Sequence, residues 1–332
     1  AGIGLYLYSG LDYLEYYSQF PSHNTVCVDG ISSYPVMKSN HSFDLKSSFP
    51  VSSEPGKTFT SVTYSDVSFR EPESRADQTR MMSIVTTGPE TGYYVDIFRS
   101  RKERGSDKMH DYFYHNLGQT LTLTGTNGTD LNLQPTEELA FAGAHLYAYS
   151  YIYDKKSATT DKDIKATFTI AMPDKDDISM NLWKGETDRE VFTALSPMTE
   201  GLSRTPGMPY NIKEQPTLTF VARQKGEAWN RPFVAIYEPS SVKEPGCIAE
   251  VSFPEVKSKT ENSATSICVV QKDGRIDYIL SSDTPTDICT SGKMSAQATY
   301  ALWGNKKGDD CTFFLGHGTL LSTPNVVIKA ET

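Results

Sequence analysis

The sequence predicts an all-β chain, a large sheet domain followed by a small β-sandwich, and three observations carry that prediction. Apolar and polar residues alternate with a period of two over much of the chain, which marks strands with one buried and one wetter face. Glycine-containing turn signals separate these runs. Helical periodicity is scarce, and its best segment, Leu11–Phe20, is brief.

The strands can be followed in order. Thr120–Thr124 alternates without a break, Lys165–Ile170 sets Ala166, Phe168 and Ile170 on one face, and Thr217–Val221 does nearly the same. Asn127-Gly128 and Asp273-Gly274 are two-residue hairpin signals, because both residue pairs accept the positive φ angles of a type I′ turn. The second lies between Ile267–Val270 and Ile276–Ile279, which predicts a hairpin there. Asn127 and Asn40 also fit the short glycosylation sequon. Proline and glycine gather in Thr205–Tyr210 and again in Glu238–Gly246, after which the cysteine-bearing strands begin. The boundary is placed at the second, giving a large sheet domain over 1–240 and a small β-sandwich over 241–332.

Bulk properties exclude several classes. The chain has 332 residues, 38% hydrophobic and 22% charged, as expected of a folded protein. No apolar run approaches the ~20 residues of a membrane-spanning helix. The formal net charge is −9 and the densest basic cluster is Arg99, Arg101, Lys102 and Arg104. That pattern reads as a solvated loop, so nucleic acid is not expected as a partner. Of five cysteines, Cys247, Cys268, Cys289 and Cys311 fall in the last third. Disulfides and free thiols both remain open, and no zinc-type C-x-x-C spacing occurs. The chain opens at Ala1 without a methionine or a leader, as a processed or partial form would.

Catalytic signatures are absent. There is no G-x-S-x-G elbow, Walker loop or G-x-G-x-x-G fingerprint. Asp174–Asp177 and Asp309-Asp310 read as solvated loop acids. His317, between two glycines, reads as a turn. His110 and His115 flank Asp111 but stand five apart, so on a strand they point to opposite faces and cannot chelate one ion. Asp111, Phe113 and His115 share a face. Two readings compete there: a self-contained site built on His110, Asp111 and His115, or a hydrogen-bonded histidine on an inner sheet face.

The most informative stretch runs from Tyr16 through Phe20, His23-Asn24-Thr25 and Asp29-Gly30. It resembles the heparinase II/III-like polysaccharide lyases, in which a segment of the form aHNTvxvDG follows a tyrosine-rich stretch. Arg80–Val85 and Tyr93–Arg99 resemble two successive strands of that family's central sheet. His110–His115 is similar to its hDYxxH strand, and Arg223–Gly226 with Phe233–Pro239 to the strand that closes the sheet domain. The four pieces stand in the family's order over roughly residues 5 to 240.

The resemblance implies a helical toroid, a large two-layer β-sandwich of the supersandwich type, and a small terminal β domain, of which the last two lie in this chain. It implies β-elimination on an acidic, uronic-acid-containing polysaccharide and a periplasmic or secreted location. The family's carboxylate-neutralising Asn or His, and its Tyr and His for proton transfer, lie mostly on the helical part. The expectation is therefore no catalytic residue here, one wall of the substrate cleft, a docking face for the toroid, and no activity alone. The alternative is a stand-alone carbohydrate-binding module. Some members hold a zinc through a G-H-x-H-x-D segment, an Asp and the His of HNT. Only His23 matches, so His23 is the metal candidate, with no cofactor expected in this chain and zinc expected only for a full-length parent. Substrate-binding candidates are Tyr16, Tyr17 and Trp229, as platforms for sugar rings with core packing as the competing use, and His115.

Overall fold

The computed structural model describes residues 12–31, 43–50, 59–105, 107–139, 147–185, 187–199, 206, 214–259, 264–306 and 311–330. Asn40, most of Thr205–Tyr210, Asp309-Asp310 and the first residues from Ala1 lie outside them. The chain is nearly all β, in three antiparallel sheets. The outer sheet runs Val26–Val28, Met109–Asn116, Thr217–Lys225, Arg189–Ser196, Tyr153–Thr160 and Gln134–Pro135. The middle sheet runs Asp44–Phe49, Val62–Arg70, Ala76–Thr86, Gly92–Lys102, Ala228–Ser241, Ile178–Lys184, Ile164–Ile170 and Thr120–Gly125. The C-terminal sheet is built around Thr265–Gln271, Ile276–Ser281, Met294–Asn305 and Thr312–Ser322. The chain leaves the middle sheet at Ser241 and enters the C-terminal sheet at Ile248.

The middle sheet packs against a neighbour on both faces, completely on one and in part on the other. One core joins it to the outer sheet through Phe98, Phe168, Leu182 and Phe233 against Val26, Tyr112, Val191 and Phe220. A second joins its other face to the C-terminal sheet through Tyr93, Val95, Ile97 and Ile236 against Ile267, Val269, Tyr300 and Leu302. Two-sided burial explains why Phe233–Tyr237 reads as a continuous apolar run, while Ile164–Ile170 near the sheet's edge alternates as the sequence predicts. The far side of the C-terminal sheet encloses its own cluster of Leu280, Met294, Trp303 and Leu321.

Both predicted turns form, with different geometry from that expected. Gly274 is left-handed at φ 88° and Gly128 at φ 82°, whereas Asp273 and Asn127 keep negative φ. Gln271 N–H bonds the Arg275 carbonyl across a three-residue loop, the arrangement with one left-handed glycine instead of a type I′ pair. The hairpin at Gly274 is complete, with Val270 paired to Ile276. At Gly128 only Thr124 and Asp130 bridge before the chain departs, so no full hairpin follows. In the brief segment of helical periodicity over Leu11–Phe20, the described residues form a single π-type turn, Tyr13–Tyr17, followed by a short 3-10 turn at Phe20–Ser22. All five cysteines are unbridged. Among the described residues no helix is long and apolar enough to cross a membrane.

Candidate functional site

The segment Tyr13–Thr25 is bolted to the outer sheet. Tyr16 is fully buried, stacked on Tyr151 with centroids 5.5 Å apart and edge-on to Tyr17 at 5.3 Å. The Tyr17 hydroxyl donates to the Met198 carbonyl at 2.6 Å. Both rings therefore serve as packing and present no open face for a sugar. Aromatic side chains that carry a polar tip look alike in sequence whether they anchor a turn or line a groove.

This anchoring aims His23. Its Nε2–H donates to the Tyr17 carbonyl at 3.1 Å, which leaves Nδ1 as the lone-pair nitrogen of the neutral ring. Burial pushes its pKa below the ordinary histidine value despite that hydrogen bond. Asn24 fixes the following turn: its Oδ1 accepts the His115 backbone N–H at 2.7 Å, and its carbonyl accepts Arg80 Nη1 at 2.9 Å. Arg80 in turn donates Nε and Nη2 to the two oxygens of Asp96 at 2.8 and 2.7 Å. Behind it the Tyr112 hydroxyl donates to Asp96 at 2.8 Å and lies against the Tyr237 hydroxyl.

His115 sits beneath the loop, not in contact with solvent. Its Nε2–H donates to the Pro21 carbonyl at 2.7 Å and Nδ1 accepts the Thr219 hydroxyl at 3.0 Å. Complete burial pushes its pKa down to about 3, outweighing the hydrogen bond to Pro21. It is a neutral strut and not a substrate contact. The parity argument holds: His110 faces Ser100 of the middle sheet at 2.9 Å, while Asp111 on the opposite face takes Arg223 in a bidentate pair and the Tyr149 hydroxyl at 2.8 Å. His110, Asp111 and His115 do not converge on one point. Trp229 is buried, with its Nε1–H on Asp283 and Arg101 4.1 Å over its ring. It ties the middle sheet to the C-terminal sheet and is not a free platform. Asp29, left-handed at φ 53°, caps Lys108 and Met109 N–H and pairs with Lys102 at 2.7 Å. Burial would raise its carboxyl, but these partners hold it below the usual range.

Where the His23 loop meets the middle sheet, a pocket of about 430 Å³ opens, lined among others by Phe20, His23, Phe43, Phe69, Arg80 and Phe98. Sequence reading found His23 but missed the phenylalanine wall and the Arg80–Asp96 pair. Both Arg80 and Asp96 lie in strands singled out above, yet their meeting depends on the register that sets Met82 opposite Asp96 and Arg80 opposite Phe98. Zinc does not fit these residues. No three His, Cys, Asp or Glu side chains gather as a donor set among the described residues, and His23 brings one nitrogen where structural zinc takes four ligands.

No family model matches the chain. The chain is similar to an endo-acting ulvan lyase of Formosa agariphila, 30% identical over 271 residues, which amount to 78% of this chain and 31% of that protein. It thus spans about a third of the length of the relative it matches. Over most of its length, this β-sheet chain is related to a polysaccharide lyase.

Proposed function

We propose that the chain is the β-sheet portion of a heparinase II/III-like polysaccharide lyase that cleaves a uronic-acid-containing polymer of the ulvan class by β-elimination. The single observation that carries this reading is the 30% identity to an ulvan lyase along 271 residues. In this reading the pocket under His23 and the adjoining face of the middle sheet form one wall of the substrate cleft. The enzyme works outside the cytoplasm, in the periplasm or secreted, where a polymeric substrate is met.

β-Elimination needs the sugar carboxylate neutralised, the C5 proton removed and the leaving oxygen protonated. Four tyrosines and one histidine packed around the His23 loop and the sheets behind it are poorly matched to the last two tasks. Tyr16, Tyr112, Tyr149 and Tyr237 are buried in the packing, and burial raises the phenols of Tyr16, Tyr149 and Tyr237. His115 has both nitrogens engaged. In this reading proton transfer falls to a region outside this chain, the helical toroid of the resemblance, and the chain alone binds without cleaving. His23 remains a metal candidate only if further ligands come from that region.

The test is to express the full-length gene product and this chain separately and follow the ultraviolet absorbance of unsaturated uronyl ends released from ulvan. The full-length protein should generate the signal and the chain alone should not. A full-length protein that releases no unsaturated ends from any uronate polymer, or a chain that does so unaided, contradicts the reading.

A further inference from the structure

The pocket below His23 sits in a wall assigned to a polyanion, yet its chemistry is that of an uncharged ligand. Arg80 is the one charged side chain among its described lining residues, and its charge is already matched by the bidentate pair with Asp96, while its third nitrogen holds the Asn24 carbonyl. Gln78 spends its amide on the Val26 carbonyl at 3.3 Å and Ser100 at 3.2 Å. His23 is neutral with Nδ1 as an acceptor. A carboxylate or sulfate entering this space would meet a guanidinium already neutralised by Asp96 and otherwise phenyl rings, and burying an anion without a counter-charge is costly.

What remains is aromatic surface. Phe43 is well exposed and stacks on Phe69 with centroids 4.7 Å apart, and Val67 and Phe98 continue the wall. Phenyl faces carry the negative side of the ring quadrupole and attract the weakly positive C–H bonds of an apolar sugar face. The volume of about 430 Å³ falls in the range of roughly 300–1,000 Å³ that receives small ligands. A chain of net charge −9 also repels polyanions globally, and a contact made through uncharged sugar residues avoids that penalty.

We propose that this pocket is a subsite for an uncharged sugar residue of the polymer, held by its apolar face against Phe43 and Phe69 with a hydroxyl donated to His23 Nδ1, while the uronate carboxylate is received elsewhere. The assignment rests on the polysaccharide reading above. The test uses the chain itself with two probes, the methyl glycoside of a neutral hexose and that of a hexuronic acid, in ligand-observed saturation-transfer NMR. The neutral glycoside should receive saturation at its ring C–H and methyl protons, with affinity unchanged by added NaCl. Phe43→Ala, at an exposed position, should weaken it several-fold with the melting temperature unchanged, and Phe69→Ala should do the same in a protein checked for native circular dichroism. Tighter, salt-sensitive binding of the uronic glycoside, no binding of the neutral one, or indifference to both substitutions overturns the subsite. Affinity electrophoresis of the same chain through ulvan separates the two claims. Retention by the polymer without neutral-glycoside binding defeats the subsite alone, and no retention by ulvan defeats the cleft-wall reading with it.

Discussion

The two faces of the middle sheet meet their neighbours differently, and strand Ala76–Thr86 shows how. Met81 and Val85, 1% and 0% exposed, pack against the C-terminal sheet; Met82 and Ile84, at 40% and 44%, face the other way and stay open. Residues of the same type, one position apart, have opposite fates. The outer sheet covers Phe98 and Phe233 but stops short of Phe43, Leu45, Met82, Ile84 and Tyr94. One face is closed and provides stability; the other is left partly open beside His23. A row of exposed apolar side chains on an otherwise buried sheet fits the cleft wall proposed above.

The largest expected effect lies where the two functions meet. Asp96→Ala leaves the Arg80 guanidinium without its carboxylate beside a buried network, and removing one partner of a buried pair costs about 3–5 kcal/mol. Urea denaturation should show that loss, and amide exchange of Asn24 and Thr25 should speed up, because Arg80 also holds the Asn24 carbonyl. Stability within error of wild type would show that Asp96 does not organise the loop. On the closed face, Ile236→Ala should cost about 2–5 kcal/mol through the lost contacts and the cavity left behind.

A smaller effect is set by pH. His115 takes a proton below about 6.5 when unfolded but only near 3 when folded, so between these values the unfolded chain holds more protons. Stability should therefore fall as pH drops through this window, and His115→Gln should flatten that slope while keeping a donor for Pro21. Parallel pH profiles of the melting temperature check it; an unchanged slope would mean that other groups dominate. The smallest effect is on the open face. Ile84→Ala should change stability by no more than about 0.5 kcal/mol. A loss as large as that of Ile236→Ala would mean that Ile84 is core and erase the contrast between the faces.

Much of the fold was legible in local pattern. The alternation of Ile164–Ile170, the glycine turn before Arg275, and the opposed faces of His110 and His115 all follow from strand period and turn chemistry. Three features were not legible. The stacking of the C-terminal sheet on the middle one depends on contacts such as Tyr93 with Asp277, 184 residues apart. The partnership of Arg80 and Asp96 depends on strand register. Tyr16, Tyr17 and Trp229 have the composition of a sugar platform, and only their neighbours Tyr151, Met198 and Asp283 decide that they are buried. Local sequence specifies which residues share a face, but not which face is left uncovered.

The central claim, that the open face of the middle sheet carries the polymer, is tested most directly by methyl NMR of the chain labelled at methionine and isoleucine. Addition of an ulvan oligosaccharide should shift Met82 and Ile84 while Met81, Ile97 and Ile236 stay in place. Shifts that spare Met82 and Ile84, or that appear only at exposed positions elsewhere such as Met198 and Ile288, would contradict the account.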